Sequence, residues 1–262
     1  MSTPNGNPGD IHNWPILKIV YRTDPEKLAA LLPPGIKPGK DPLVKLNIYN
    51  YPVPDEPELG ILTTVNADFN GIEGEYALGY GIDQESAIFS SQEINGQPKF
   101  PCNTSFYREQ DRVVARCTHN GYTFFEFEGK SVGVQPNLDD FTVNEWWVKV
   151  SRAVGSDFSD MSNVEYDFPP HVVHVKSVYG TVHLEKVEGR IRFLESPWDP
   201  YATRLPMREL VSANLWWAVF KDRSISIAGE LDPKGFAPFS DVIGGSRWPG
   251  FQGGPLREDC FK

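Results

Sequence analysis

The sequence predicts an α+β domain that is mostly antiparallel β, a closed or partly closed barrel with a few flanking helices. Three observations predict it. Glycine and proline each occur 23 times in 262 residues, an excess that signals many chain reversals. About a dozen short, alternating apolar runs are separated by turn residues. No repeat, linker or composition break divides the chain, so residues 1–262 read as a single domain. Closing that many strands into a barrel removes the exposed edges an open sheet would leave.

The elements follow in order. Residues 1–10 are polar and rich in Pro, Asn and Gly, a loose terminus without the basic and apolar regions of a signal peptide. Ile16 to Tyr21 is strand-like. Thr23-Asp24-Pro25-Glu26 opens a helix, with Leu28, Ala29, Leu31 and Leu32 as its apolar face, and Pro33-Pro34-Gly35 ends it. Leu43 to Tyr51 alternates as a strand, and 52–57 is a Pro and acid loop. Strands at 61–69 and 75–82 flank the turn Asn70-Gly71, and a further strand is expected over 86–90. Strands follow at 104–107, 112–118 and 122–128, the last two joined at His119-Asn120-Gly121, with 129–140 as loop. The runs 145–150, 171–178, 181–187 and 190–194 read as strands, with hairpin turns at Tyr179-Gly180 and Glu188-Gly189. Met207, Leu210, Val211, Ala213, Leu215, Trp216 and Ala218 recur at helical spacing, which predicts a buried helix ending near Phe220. Residues 230–262 form a loop-rich tail.

Composition excludes several functions. The net charge of −10 disfavours phosphate backbones and anionic membrane surfaces. No apolar run is long enough to span a membrane. Cys102, Cys117 and Cys260 fit neither a disulfide framework nor a zinc site, and read as reduced thiols in a cytoplasmic protein. His12, His119, His171, His174 and His183 lack an accompanying acid or thiol cluster, so no metal is expected; only His174 and His183, across their hairpin, could meet. No phosphate-binding glycine motif and no nucleophile elbow occurs, and no cofactor is implied. The tandem pairs Trp146-Trp147 and Trp216-Trp217 read first as core.

Lys99 stands out. Ile94, Pro98, Phe100 and Pro101 surround it, with Ile88 and Phe89 just upstream. Apolar surroundings strip hydration from an ammonium and favour the neutral amine, a nucleophile for carbonyls. The iminium formed is an electron sink for a neighbouring carbanion. Taken alone, the same residues describe an ordinary turn lysine with its head in water.

The stretch from Asn70-Gly71-Ile72-Glu73-Gly74-Glu75-Tyr76 through Asp83, Glu85-Ser86-Ala87-Ile88 and Gln92-Glu93-Ile94-Asn95-Gly96-Gln97-Pro98-Lys99 resembles the central motif of the acetoacetate decarboxylase family. Ile19-Val20-Tyr21-Arg22-Thr23-Asp24, Pro42-Leu43-Val44 and Leu205-Pro206 with Glu209-Leu210-Val211-Ser212-Ala213 are similar to flanking segments in the same order. The resemblance implies a cone-shaped β-barrel, a homo-oligomer and a Schiff-base lysine at Lys99 acting on a small-molecule carbonyl substrate. It also implies departures. Phe100 stands where the family carries a second lysine. Trp14 stands where it carries a carboxylate-binding arginine, and Asn47 and Thr64 where it carries pocket glutamates. The pocket is therefore expected to have lost its acids and its carboxylate clamp, and to take a larger or less charged carbonyl compound. Trp14, Asn47, Thr64, Gln97 and Phe100 are the candidate substrate-binding residues. Asn47, Tyr49, Gln97 and Glu93 are the polar candidates for proton transfer, while Cys102 reads as a buried small hydrophobe. Three functions follow: a decarboxylase of keto acids, an aldolase/dehydratase of pyruvate-type substrates using the same lysine, and a barrel that binds an apolar carbonyl compound without turnover.

Overall fold

The computed structural model describes residues 15–51, 58–156, 164–239 and 248–249. Its elements are β1 (Pro15–Arg22), α1 (Pro25–Ala29), β2 (Lys37–Pro38), β3 (Leu43–Tyr51), β4 (Glu58–Phe69), β5 (Ile72–Ile82) and α2 (Glu85–Asn95). There follow β6 (Lys99–Pro101), β7 (Asn103–Glu109), β8 (Arg112–His119), β9 (Tyr122–Val134), β10 (Phe141–Lys149) and β11 (His171–Phe193). α3 (Tyr201–Arg204), β12 (Glu209–Glu230) and α4 (Pro233–Phe236) complete them. The strands form one sheet in the order β10-β5-β4-β3-β1-β12-β11-β9-β8-β7. β10 also pairs with β11, so the run from β10 to β11 closes into a ring, and β9-β8-β7 continue from it as a limb. The fold is the mostly antiparallel barrel that the sequence predicts. The Asn70-Gly71 and Asn120-Gly121 turns form at the expected places, all four residues with positive φ.

Several expectations are corrected. The segment expected as a strand over 86–90 is the helix α2, which buries only Ile88. Glu85, Ser86, Ser90 and Glu93 face water, and Gly96 caps the helix in the left-handed conformation at φ 67°. The helix expected to end near Phe220 is instead the strand β12. Both faces of this strand are buried around Ala213, Leu215 and Trp216, and a strand apolar on both faces mimics helical spacing. The three expected strands between 171 and 194 are one strand, β11, bent by irregularities near Val172, Val178 and Thr181. Gly180 and Gly189 lie inside it; a Cβ on Gly189 would stand 2.6 Å from the Glu128 carbonyl oxygen, so this glycine permits close approach of β9 rather than a turn. Residues 129–134, expected as loop, extend β9. The described part of the tail carries α4 and a 3-10 turn at Ala237–Phe239, and Ala29 of α1 is exposed rather than on the buried face. Residues 1–10 lie outside the described residues. None of the helices among the described residues is long and apolar enough to cross a membrane.

Alternation along the strands gives the ring two unlike faces. Leu17, Ile19 and Tyr21 of β1, Val44, Leu46 and Ile48 of β3, and Ile61 and Val65 of β4 join Phe106, Ala115 and Phe127 of the limb in the main core. The opposite face holds a smaller apolar cluster that includes Ala77, Tyr80, Ile82, Ile88, Trp147 and Val173. Register defines one row across that second face. Lys18 of β1 pairs with Asn47 of β3, Asn47 with Leu62 of β4, Leu62 with Tyr80 of β5, and Tyr80 with Lys99 of β6. The tandem tryptophans divide as alternation requires, Trp146 into the main core and Trp147 onto the second face.

Candidate active site

Lys99 begins β6, a three-residue strand delivered by the α2 crossover to lie parallel to β5. The placement is fixed from both sides. The Tyr80 amide donates to the Pro98 carbonyl and the Cys102 amide to the Ile82 carbonyl, each at 2.8 Å. The Gln92 side-chain amide donates to the Lys99 carbonyl. Gly96 has no room for a side chain, because a Cβ there would lie 2.3 Å from Lys149 Cα.

The Lys99 ammonium is buried, and its Nζ lies 2.9 Å from Glu58 Oε2, both side chains being 8% exposed. The Tyr49 hydroxyl donates to Glu58 Oε1 at 2.8 Å. Burial and the adjacent Glu58 carboxylate push the Tyr49 phenol well above its ordinary range, so it remains a proton donor. The expectation of a pocket stripped of acids is thus overturned at its centre: Glu58, the first residue of β4, supplies a carboxylate directly to the lysine. The apolar wall is also thinner than expected, since Phe89 and Ile94 are 64% and 65% exposed. Lys99 lines a cavity of about 730 Å³ between α2 and the β8–β9 turn, shared with Glu85, Phe89, Gln92, Asn103 and Asn120.

A second carboxyl lies on the same face. Glu145 of β10 accepts hydrogen bonds from the Tyr80 hydroxyl and the Trp147 indole, and all three are buried. Burial pushes its carboxyl up to about 7. Tyr80 is the register neighbour of Lys99, and its hydroxyl reaches Glu145. Gln97 lies beside the Tyr80 hydroxyl.

The remaining predicted residues divide. Asn47 lies on the row and leaves a buried Oδ1 without a partner among the described residues. Thr64 is fully buried and donates to Glu75 Oε2 at 2.5 Å, while Lys45 holds Oε1 at 2.5 Å. A carboxylate therefore stands beside this position too, supplied by β5. Phe100 follows Lys99 and so points to the opposite face, into the main core, its ring 4.8 Å from that of His119. That excludes it from the Lys99 side and corrects its assignment as a substrate contact. Glu93 is exposed on α2, and its carbonyl accepts from Lys149 at 2.8 Å. Burial raises the Cys102 thiol, as befits a small core residue. His174 contacts Asn144 and His183 contacts Glu185, and the two histidines occupy one continuous strand rather than facing each other. Among the described residues, no three His, Cys, Asp or Glu side chains gather where a metal could bind. Trp14 lies outside the described residues. Sequence reasoning missed Glu58, Tyr80 and Glu145. Period-two alternation from Leu62 back to Glu58 was the signal for the first, and the two tryptophans after Glu145 were the signal for the last.

Comparison with known proteins agrees with this architecture. A family model for acetoacetate decarboxylase (ADC) matches residues 1–230. The acetoacetate decarboxylase of Streptomyces nogalater is 34% identical over 107 residues, 39% of this chain and 43% of that protein. That of Clostridium botulinum (strain Eklund 17B / Type B) is 32% identical over 115 residues, 42% and 46% of the two chains. The aligned stretch thus spans less than half the length of either relative. A solved acetoacetate decarboxylase superposes with a TM-score of 0.70 at 18% identity, over 87% of this chain and 91% of the other. The enduracididine biosynthesis enzyme MppR, complexed with the condensation product of pyruvate and imidazole 4-carboxaldehyde, superposes with a TM-score of 0.60 at 16% identity, over 81% and 87%. By the match to the greater part of its length and by its fold, the chain belongs to the acetoacetate decarboxylase family.

Proposed function

We propose that this protein is a Schiff-base-forming lyase that decarboxylates a keto acid through Lys99. The observation that carries the reading is the buried Lys99–Glu58–Tyr49 arrangement, with Nζ 2.9 Å from the carboxylate. An ammonium must lose a proton before it attacks a carbonyl, and Glu58 is within reach of that proton. Nζ then adds to the ketone carbon, and loss of water gives the iminium. The C–C bond to the carboxylate breaks, its electron pair flows into the iminium, CO2 leaves, and an enamine remains. A proton added to the enamine carbon and water added to the iminium release the ketone and regenerate the amine. Glu145, its carboxyl raised to about 7 and bonded to Tyr80, the register neighbour of Lys99, is a suitable reservoir for the proton that the enamine takes up.

The similarity to MppR supports a second reading, aldol condensation and dehydration of a pyruvate-type substrate by the same lysine. Both readings share the iminium and differ in whether CO2 or water is lost. Borohydride trapping with a panel of keto acids and aldehydes tests what they share. An adduct mapped to Lys99, absent in Lys99→Ala, is expected. Ligand binding without any adduct would overturn both readings and leave a non-catalytic barrel. Release of CO2 or appearance of a conjugated condensation product then separates the two chemistries. A homo-oligomer is proposed with either reading, and sedimentation of the intact chain tests it.

A further inference from the structure

The row that ends at Lys99 begins at a second, half-buried lysine that the proposed chemistry does not use. Lys18 Nζ sits 4.8 Å from the Trp216 ring centre and 5.4 Å from that of Phe141. Among the described residues it makes no hydrogen bond or ion pair. Burial lowers its basicity, against the attraction of Glu75. Glu75 is already engaged by Lys45 at 2.5 Å and by Thr64. The deep part of this cluster therefore holds two ammonium groups and one carboxylate, a surplus of one positive charge. Lys18, Lys45, Glu75 and Phe141 line a cavity of about 370 Å³. At its mouth Lys40 and Glu73 pair with each other at 3.0 Å, and Asp41 is exposed. Asn47, next to Lys18 in register, keeps its buried Oδ1 unpartnered, and an amide can turn either end toward a ligand.

We propose that Lys18, held against the adjoining rings of Phe141 and Trp216 with Asn47 beside it, binds a carboxylate remote from the carbonyl that Lys99 attacks. The inference rests on Lys99 as the carbonyl site. A positive charge held by aromatic faces and by only a share of Glu75 is incompletely compensated, and an entering carboxylate supplies the missing partner. The two lysines stand four strand spacings apart. That is about 19 Å measured along the sheet at about 4.8 Å per strand, and less across its curl. The group at Lys18 is therefore not the carboxylate lost as CO2. It is the anionic tail of an extended keto acid, long enough to run from one end of the row to the other.

The test uses straight-chain methyl-keto acids whose carboxylate stands progressively farther from the ketone, beginning with levulinate, and the methyl ester of each. Half-saturation of borohydride trapping at Lys99 is measured in the intact protein, and binding is measured by calorimetry in Lys99→Ala. The longer acids are expected to saturate at roughly tenfold lower concentration than their esters. The ratio should collapse toward one in Lys18→Met and in Lys18→Gln, and return in Lys18→Arg. Equal saturation by acids and esters, a preference that survives both neutral variants, or an adduct on Lys18 itself would overturn the proposal. A Lys18-dependent preference in calorimetry, with no adduct on Lys99, supports the carboxylate site while removing the Schiff-base reading.

Discussion

Two lysines end one row of side chains, and they solve the cost of burial differently. Lys99 has a carboxylate 2.9 Å away, itself bonded by a tyrosine. Lys18 has aromatic faces and only an indirect share in Glu75. A buried ion pair is costly to break, because removing one partner strands the other. A buried ammonium among aromatic rings costs desolvation that the rings offset in part. The difference teaches that the Lys99 end is built around a partner, whereas the Lys18 end is built around a gap in charge.

Four variants sharpen that contrast. The largest effect is expected from Glu58→Gln, which removes the proton acceptor while keeping the size and hydrogen-bonding capacity of the side chain. The rate of adduct formation at Lys99, followed by quenched borohydride trapping, should fall roughly 100-fold. An unchanged rate would show that another group takes the proton. Glu145→Gln comes next. The Glu145 carboxyl is raised to about 7, so the native state holds a proton between the unfolded value and about 7 that the unfolded chain has released. Stability must therefore fall as pH rises through that window, by about 3 kcal/mol in all. Urea unfolding of Glu145→Gln should lack this loss, and parallel pH profiles of the two proteins would remove the carboxyl from the account.

Gly96→Ala forces a side chain into the left-handed cap and against the Lys149 backbone. It should cost about 2 kcal/mol in the same assay and loosen β6, lowering adduct yield at Lys99. The smallest effect belongs to Lys18→Met. The lowered Lys18 value means that the unfolded chain holds its proton more tightly than the folded one. The charged side chain therefore penalises folding at neutral pH, and the penalty fades as pH rises toward the ordinary lysine range. Lys18→Met should be as stable as the native chain or more so, by up to about 1 kcal/mol at pH 7. A large loss there would mean that Lys18 has a structural partner after all.

Much of the β framework was legible in the sequence because alternation and Asn-Gly turns are local signals. The β12 segment misled because a strand buried on both faces carries apolar residues at every spacing, helical ones included. The glycines of β11 misled because glycine serves close strand approach as well as turns. Lys99 was found through its motif, but its partner was not. Glu58 precedes it by 41 positions and reaches it only through the β4–β5–β6 register. Glu75 beside Thr64 illustrates the same limit: a residue-by-residue alignment records the loss of a carboxylate from one strand and cannot see the neighbouring strand supply another. Asn47 shares a register row with Lys99, whereas alternation after Lys99 already directs Phe100 to the other face.

The pairing of β1 with β12 bears on how the protein is made. Lys18 lies opposite Asn214, and its aromatic neighbour Trp216 lies opposite Ile16. During synthesis the first strand emerges from the ribosome long before its partner. The ring closes only when the β12 residues have been added, so a nascent chain carrying Lys99 still lacks that closure. Until then the β1 edge lacks its β12 partner and is open to wrong pairings, and the Lys99 amine stays outside its finished barrel. Arrested nascent chains of increasing length should therefore gain protease resistance and Lys99 adduct formation together, once the β12 strand clears the exit tunnel.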